Sequence, residues 1–181
     1  LFEGAVTVTF QKNNDCDSCY LNVSNNIEIK SIVQNGVQLD FYVSNPFLLI
    51  FQSKKKKKID FSAFPVTINY TVKPSLNENR GFFSHKGSYL TCFEPNLARN
   101  LLPCFDEPFV RSTFQVTLRI PSNLTGLSNM PVNNIDEYEG EDEIIFQTTP
   151  PMCTYLLCIC IGKFSSIEGK IKSDIPIKIY S

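Results

Sequence analysis

The sequence is poor in the residues that build histidine-based catalytic centres, membrane spans and basic surfaces. His85 is the single histidine among 181 residues, so a histidine-rich zinc centre or a histidine-dependent triad has little to work with. The longest apolar run, Tyr155 to Ile161, is far shorter than the roughly 20 residues that a membrane-spanning helix needs. Only 19% of the residues are charged and the formal net charge is −1. Nucleic acid is therefore not an expected partner.

The chain is nevertheless rich enough in apolar residues to fold around a core. Hydrophobic residues make up 43% of it, and a length of 181 residues predicts one domain, residues 1–181. Leu1 is not an initiator methionine, and both ends read as strands without a closing signal. We expect a single domain that is cut from a longer polypeptide at both ends.

The hydrophobic pattern has a period of two over much of the chain. Alternation places one set of side chains on a buried face and the other in water, as in antiparallel sheets, and Asn-, Gly- and Pro-rich turns separate the runs. The fold class is predicted to be all-β, a large twisted antiparallel sheet or sandwich. One short helix is expected at Asn96–Leu102, capped by Asn96 and stopped by Pro103. The alternating runs are Val6–Phe10, Val37–Val43, Val66–Val72 and Phe114–Ile120.

The seven cysteines are an odd number, so they cannot all be paired with one another. Several lie in apolar runs, including Cys153, Cys158 and Cys160, which are expected on one apolar strand with Cys158 and Cys160 on the same face. We interpret most of the cysteines as reduced, buried, small hydrophobic residues. Three Asn-x-Ser/Thr sequons, at Asn22, Asn69 and Asn123, are weak evidence for secretion.

Four polar features have plain structural interpretations. The run Lys54–Lys58 is typical of a solvated loop that also prevents edge pairing, and Cys16-Asp17-Ser18-Cys19 lacks the second pair that a zinc ribbon requires. His85 has no nearby Cys or Asp partner and is expected to be a surface or loop residue. The acidic tract Asp136–Glu143 lacks the regular ligand spacing of a calcium loop and is expected to be an exposed hairpin loop.

The stretch Tyr89–Pro108 contains a strand, a short helical segment and several charged residues. Glu94 follows the strand and precedes the helical segment, where a side chain can be directed into a cleft. Composition alone would make Glu94 a salt-bridge partner for Arg99.

This stretch resembles the M1 zinc aminopeptidases, whose N-terminal domain carries the motif T-Q-F-E-P-x-x-A-R-x-x-x-P-C-F-D-E-P. Further segments are similar to the family motifs G-F-Y-R-S, A-L-S-N-M-P and T-P-x-M-S-T-Y-L-x-A-x-x-V-G-x-F. The matches occur in the family's order across about half of the chain. They are Thr91-Cys92-Phe93-Glu94-Pro95, Ala98-Arg99, Pro103-Cys104-Phe105-Asp106-Glu107-Pro108, Gly81-Phe82-Phe83-Ser84, Leu127-Ser128-Asn129-Met130-Pro131, Thr149-Pro150-Pro151-Met152-Cys153-Thr154-Tyr155-Leu156-Leu157 and Ile161-Gly162-Lys163-Phe164.

The resemblance implies a saddle-shaped, mostly antiparallel β domain that precedes a thermolysin-like catalytic domain. In the family, the catalytic domain holds a G-A-M-E-N motif and an H-E-x-x-H…E zinc site, and neither occurs in this sequence. The resemblance implies zinc in the full-length enzyme. Because the motifs are missing here, this fragment is expected to bind no metal, to carry no catalytic residue and to cleave nothing. Its partners would be the enzyme's own catalytic domain and peptides with a free N-terminus.

The resemblance also implies roles for individual residues. Glu94 matches the glutamate that anchors the substrate α-amino group, and the epoxide-hydrolysing relatives tend to carry Gln there. Cys92 replaces a glutamine that lines the pocket for the first side chain, which leaves the preferred N-terminal residues open. Arg99, Asp106 and Glu107 match positions that we interpret as structural support for the Glu94 loop.

Two alternatives remain at the sequence level. A non-catalytic family member would use this domain as a scaffold or interaction surface, and an unrelated β-sandwich adhesion module would be indicated by cysteines paired between sheets. The cysteine pattern favours a cytoplasmic location, with a membrane-anchored or secreted ectoenzyme as the alternative because such family members exist.

Overall fold

The computed structural model describes residues 1–10, 18–44, 48–52, 65–170 and 176–181, and only the backbone of residues 48–52. The Lys54–Lys58 run and Cys16 therefore lie outside the described residues. Over the described residues the chain forms two 3-10 helices, Ala98–Asn100 and Thr154–Leu156, and eighteen strands. In chain order the strands are β1 (Phe2–Val8), β2 (Ser18–Asn22), β3 (Ile27–Gln34), β4 (Val37–Gln38), β5 (Asp40–Ser44), β6 (Leu48–Gln52), β7 (Val66–Val72), β8 (Gly81–His85), β9 (Ser88–Cys92), β10 (Arg111–Ser112), β11 (Thr117–Pro121), β12 (Thr125–Ser128), β13 (Val132–Tyr138), β14 (Glu141–Phe146), β15 (Met152–Cys153), β16 (Ile159–Gly162), β17 (Ser166–Lys170) and β18 (Pro176–Tyr180).

All pairs of these strands are antiparallel, so the predicted fold class is confirmed. The first four-stranded sheet has the order β1-β7-β3-β4. Its strand β7 follows the predicted alternation, because Val66, Ile68, Tyr70 and Val72 are all buried. A two-residue turn, Asn35-Gly36, joins β3 to β4 with both φ angles positive, at 46° and 74°. Such a turn matches the right-handed twist of the strands that it connects.

A second four-stranded sheet, β12-β16-β9-β8, packs against the three-stranded sheet β11-β14-β13. The interface is filled by large aliphatic and aromatic side chains. Gly126 of β12 lies under them, since a Cβ there would come within 3.1–3.2 Å of three Cδ1 atoms. The second sheet positions the candidate residue Glu94, because β9 ends two residues before it. The buried residues of this interface are Leu118, Ile120, Ile144, Phe146 and Ile161.

The larger core lies against the first sheet and reaches the segment that follows β9. It contains Ile68 and Ile32 of the first sheet, Phe82 of the second, and Phe93 and Ala98 beyond β9. The other described strands form the small sheets β2-β6-β5, β10-β15 and β17-β18. The β domain is therefore built from several small antiparallel sheets.

Several boundaries differ from the sequence-based expectation. The run Val37–Val43 is split into β4 and β5, because Leu39 turns inward and its N–H donates to Ile32 O at 2.9 Å. The predicted single strand through Cys153 and Cys160 is interrupted by the 3-10 helix Thr154–Leu156. The acidic tract Asp136–Glu143 is mostly strand, the ends of β13 and β14, and only Glu139-Gly140 form the turn.

The helix expected at Asn96–Leu102 is a single 3-10 turn, Ala98–Asn100, and no side chain caps it. The Arg99 N–H donates to Asp106 Oδ2 at 3.2 Å. In a helix capped by Asn96, that N–H is one from which the Asn96 side chain would accept a hydrogen bond, so Asp106 takes the place of the predicted cap. Each 3-10 helix has only three residues, and no helix of the described residues has the length and apolar character of a membrane span.

Candidate functional site

Glu94 lies on an exposed turn between two buried anchors. Strand β9 ends at Cys92, and the next side chain, Phe93, is only 1% exposed in the main core. Glu94, Pro95 and Asn96 are exposed, and Ala98 is again fully buried. The Leu97 N–H donates to Phe93 O at 2.7 Å and closes the turn. The Glu94–Pro95 peptide bond is cis.

Among the described residues, Glu94 has no hydrogen-bond or ion-pair partner. The salt bridge with Arg99 that composition alone suggested is absent, because Arg99 pairs with Asp106 instead. Arg99 Nε lies 2.7 Å from Asp106 Oδ2. The Glu94 carboxylate therefore remains available to a cation from outside the described chain.

Asp106 is the most deeply buried acidic residue that the structure describes, with its side chain 0% exposed. Besides the Arg99 guanidinium, it accepts hydrogen bonds from the Arg99 N–H at 3.2 Å and from Thr154 Oγ1 at 3.3 Å. These donors come from the turn after Glu94 and from the second 3-10 helix. Asp106 thus joins two segments that are distant in sequence.

Glu107 links the segment after the first 3-10 helix to strand β2. Its Oε1 accepts a hydrogen bond from Asn22 Nδ2 at 3.1 Å, while its Oε2 is buried without a partner among the described residues. Backbone hydrogen bonds between Asn22 and Cys104, at 2.8 and 3.1 Å, reinforce this attachment. Burial is the largest cause that raises the pKa of the Cys104 thiol well above its usual value.

A second attachment fixes the chain just after Glu94. The Ser24 N–H donates to Arg99 O at 3.0 Å. Asn26 Nδ2 donates to Asn100 O at 2.7 Å and to Lys73 O at 2.8 Å. The base of the Glu94 turn is therefore held by the loop between β2 and β3 as well as by Asp106.

The predicted residues thus fall into two groups. Glu94 and Cys92 are exposed and lie two positions apart at the end of β9. Arg99, Asp106 and Glu107 instead make contacts within the chain, with one another or with Thr154 and Asn22. Sequence reasoning gave no role to Thr154 or Asn22, the partners of Asp106 and Glu107. Thr154 lies within a quoted motif, but nothing in the sequence alone pairs Asn22 with Glu107.

The prediction that most cysteines are buried is only partly correct. Cys104 and Cys153 are buried, whereas Cys19, Cys158 and Cys160 are half-buried and Cys92 is exposed. All six of these described cysteines are free thiols. Across the described ranges, no group of three or more His, Cys, Asp and Glu side chains has an arrangement that could hold a metal ion.

Most of the chain matches the model of a known domain family. Residues 1–156 match the model of the peptidase M1 N-terminal domain. This match includes Cys92, Glu94 and the residues that support their turn, but it ends before Cys158 and Cys160.

Individual relatives are aminopeptidases that are much longer than this chain. The chain is 40% identical over 204 residues to the mitochondrial aminopeptidase 2 of Saccharomyces cerevisiae, covering 99% of this chain and 20% of that enzyme. It is 32% identical over 157 residues to a probable aminopeptidase 1 of Saccharolobus solfataricus, covering 84% of this chain and 19% of that protein. The chain thus spans about a fifth of the length of these relatives.

Solved structures show the same fold. The M1 zinc metallopeptidase of Deinococcus radiodurans superposes on 97% of this chain and 41% of its own, with a TM-score of 0.75 and 17% identity. A mutant of an M1 zinc metallopeptidase from the same organism, bound to a Tyr-Ser-Ala substrate, gives a TM-score of 0.79 at 18% identity, over 97% of this chain and 42% of that chain.

Proposed function

Because the chain belongs to the peptidase M1 N-terminal domain family, we propose that it is the substrate-recognition domain of a zinc-dependent aminopeptidase. The parent enzyme would remove N-terminal residues from peptides, and Glu94 would bind the substrate α-amino group. The single observation that carries the role of Glu94 is its exposed carboxylate, unpaired among the described residues, on a turn anchored by buried Phe93 and Ala98.

An α-ammonium group is a compact cation with three N–H donors. A carboxylate accepts such charge-assisted hydrogen bonds more strongly than a neutral acceptor would. A carboxylate at the closed end of a cleft also rejects internal peptide segments, because they bring an uncharged amide to the same place. Glu94 on a rigid turn meets the chemical requirement for this kind of discrimination.

Cys92 is proposed to line the pocket for the first side chain of the substrate. It is exposed at the end of β9, two residues before Glu94. A thiol offers a small, polarisable surface and only a weak hydrogen-bond donor. The pocket would therefore distinguish first residues mainly by their shape and apolar area.

The second wall of the site would come from the parent enzyme's catalytic domain, the principal proposed partner. Glu94, Pro95 and Asn96 are exposed in this chain, and covering them would lower the local dielectric and strengthen the attraction between carboxylate and ammonium. The described residues do not fit a zinc site. The zinc of the full-length enzyme is proposed to lie in that other domain, and no catalytic step is assigned to this chain. The cytoplasm is the proposed location, supported by the six free thiols of the described cysteines.

The test uses the complete enzyme with Glu94→Gln, which keeps the shape of the side chain and removes its charge. Loss of one partner from a desolvated charge pair costs about 2–5 kcal/mol, so kcat/KM for peptides should fall about 30-fold or more. Glu139→Gln is the matched control, because Glu139 is an exposed acidic residue in the hairpin turn between β13 and β14.

A binding measurement isolates recognition of the amine. The wild-type enzyme should bind a peptide with a free α-amino group far more tightly than the same peptide lacking that amine. Glu94→Gln should remove most of this difference. An unchanged preference for the amine would refute the role of Glu94. A complete protein that hydrolyses no peptide would refute the enzyme and favour the scaffold alternative.

A further inference from the structure

The thiols of Cys158 and Cys160 are in contact at the start of β16, an inner strand of the second sheet. Cys158 immediately precedes β16, Cys160 lies within it, and their Sγ atoms are 3.8 Å apart. Ile159 between them packs into the core interface on the other side of the sheet. Both residues are half-buried, so neither is fully shielded from solvent.

The backbone at Cys158 is held on both sides. Its N–H donates to Asn129 Oδ1 at 2.8 Å, and its carbonyl accepts a hydrogen bond from Ser128 Oγ at 2.9 Å. Asn129 Nδ2 in turn donates to Leu156 O at 2.8 Å. These contacts fix the main chain that carries the Cys158 sulfur, so the two thiols are positioned before any reaction.

We propose that Cys158 and Cys160 are a reversible dithiol–disulfide pair that reacts with low-molecular-weight disulfides such as oxidised glutathione. The geometry that carries the proposal is the 3.8 Å contact between the two thiols on one face of a strand. Its chemistry does not depend on peptidase activity.

The first step is attack by the Cys158 thiolate on one sulfur of oxidised glutathione. A hydrogen bond from Cys160 is the main cause that lowers the pKa of Cys158 to about 6, with a smaller contribution from Thr91 and against the effect of burial. Attack forms a Cys158–glutathione disulfide and releases one glutathione thiolate, which takes up a proton.

The second step is attack by Cys160 on the Cys158 sulfur. Before reaction, the neighbouring Cys158 is the main cause that raises the pKa of Cys160, through a hydrogen bond and through charge. The mixed disulfide removes the negative charge from Cys158, so Cys160 loses its proton more readily. Formation of the Cys158–Cys160 bond expels the second glutathione, and the two cysteines are oxidised as one glutathione disulfide is reduced to two thiols.

The resulting disulfide should be easily reduced. Two residues separated by one position along a strand have Cα atoms about 6.6 Å apart. This distance is near the upper end of the range of about 4.4–6.8 Å that disulfides span, and the Cβ atoms must approach to about 3.5–4.5 Å, so closing the bond bends the main chain at Cys158 and strains the disulfide. Reduced glutathione in excess should therefore restore both thiols, as expected of a switch rather than of a permanent crosslink.

Cys92 is the competing partner that the experiment must distinguish. Leu90 of β9 lies opposite Cys160. Since strand side chains alternate between faces, Cys92 lies on the same face of the sheet as Leu90 and Cys160. The experiment must therefore identify directly which two cysteines form the disulfide.

The experiment equilibrates the complete protein with oxidised glutathione, alkylates the remaining thiols after denaturation, and maps the peptides by mass spectrometry. In the wild type, the peptide that contains both cysteines should lose two hydrogens and escape alkylation, and reduced glutathione should reverse the change. Cys160→Ser should trap one glutathione on Cys158. Cys153→Ser is the control, because Cys153 is buried and should leave the reaction unchanged.

Two alkylated thiols at Cys158 and Cys160 in the treated wild type would overturn the proposal. A disulfide between Cys92 and Cys158, or a wild type that stops at the mixed disulfide, would also overturn it. The wild-type result requires no substitution, so a variant that fails to fold does not leave the proposal untested.

Discussion

Arg99 and Asp106 form a partly buried ion pair with unequal exposure. Their Nε–Oδ2 distance is 2.7 Å, and the Asp106 side chain is 0% exposed whereas that of Arg99 is 25% exposed. Arg99 can turn toward water if its partner is lost, but Asp106 has no such route. The two residues should therefore differ in what their removal costs, although they form the same contact.

Arg99→Ala should be the more destabilising of the two substitutions. It leaves a buried carboxylate with only the backbone N–H of residue 99 and the Thr154 hydroxyl as donors, which should cost about 3–5 kcal/mol of unfolding free energy. Asp106→Asn leaves a cation that reaches solvent and should cost about 1.5–3 kcal/mol. Urea unfolding of the protein measures both values.

The exposed Glu28–Lys30 pair serves as the control. Its atoms are also 2.7 Å apart, but the side chains are 73% and 48% exposed. Glu28→Gln should leave the unfolding free energy nearly unchanged, because solvent screens an exposed ion pair. Equal losses for Arg99→Ala and Asp106→Asn would contradict the argument from unequal burial.

The sequence predicts the class of this fold better than its boundaries. Alternation correctly identifies β7, because its pattern reflects one buried face that persists along the strand. The short helix expected at Asn96–Leu102 is present as the 3-10 turn Ala98–Asn100, and the N–H that the predicted Asn96 cap would bind donates instead to Asp106, seven residues after Arg99. A contact formed by tertiary folding does not appear in local periodicity.

The candidate site shows the same limit. The motif around Glu94 can be recognised in the sequence through its resemblance to a family, and the structure shows that Glu94 lies on an exposed turn. Its binding role stays a prediction. The attachments beneath the turn are not legible, since Asn22 with Glu107 and Thr154 with Asp106 are separated by 85 and 48 residues. Only the folded arrangement brings these donors and acceptors together.

Gly81 should be the least replaceable of three glycines. Its φ is +70°, and a Cβ there would lie 3.0 Å from Asn100 Cβ, beside the 3-10 turn that follows Glu94. Gly81→Ala should cost more than about 1–2 kcal/mol, since a steric contact adds to the backbone strain. Unfolding free energies of three alanine variants provide the check.

Alanine variants of two other glycines distinguish the cost of backbone strain from the cost of steric contact. Gly140 has φ +80° but no atom within 4 Å of its added Cβ, so Gly140→Ala should show the backbone cost alone. Gly169 has neither a positive φ nor a near neighbour, and Gly169→Ala should be close to neutral. If Gly81→Ala costs no more than Gly140→Ala, the contact with Asn100 contributes nothing.

Cys92→Gln should change the substrate preference of the complete enzyme more than its stability. Cys92 is exposed, so a larger polar side chain meets little resistance to folding. The added amide should favour first residues with polar side chains over apolar ones by a few-fold. The measurement is kcat/KM across peptides that differ only in their first residue. A uniform change across that series would contradict the pocket role, while Glu94→Gln should lower every value.

Cys158 should be the thiol that reacts at the lowest pH. Because its pKa is lowered to about 6, chiefly by the hydrogen bond from Cys160, half of it is thiolate near that pH. Alkylation by iodoacetamide, followed at Cys158 by mass spectrometry across a pH series, should rise with a midpoint near 6. Cys160→Ala removes the donor and should move the midpoint upward, toward that of an ordinary thiol. A wild-type midpoint above 8, or one that Cys160→Ala leaves unchanged, would show that the 3.8 Å contact does not stabilise the thiolate.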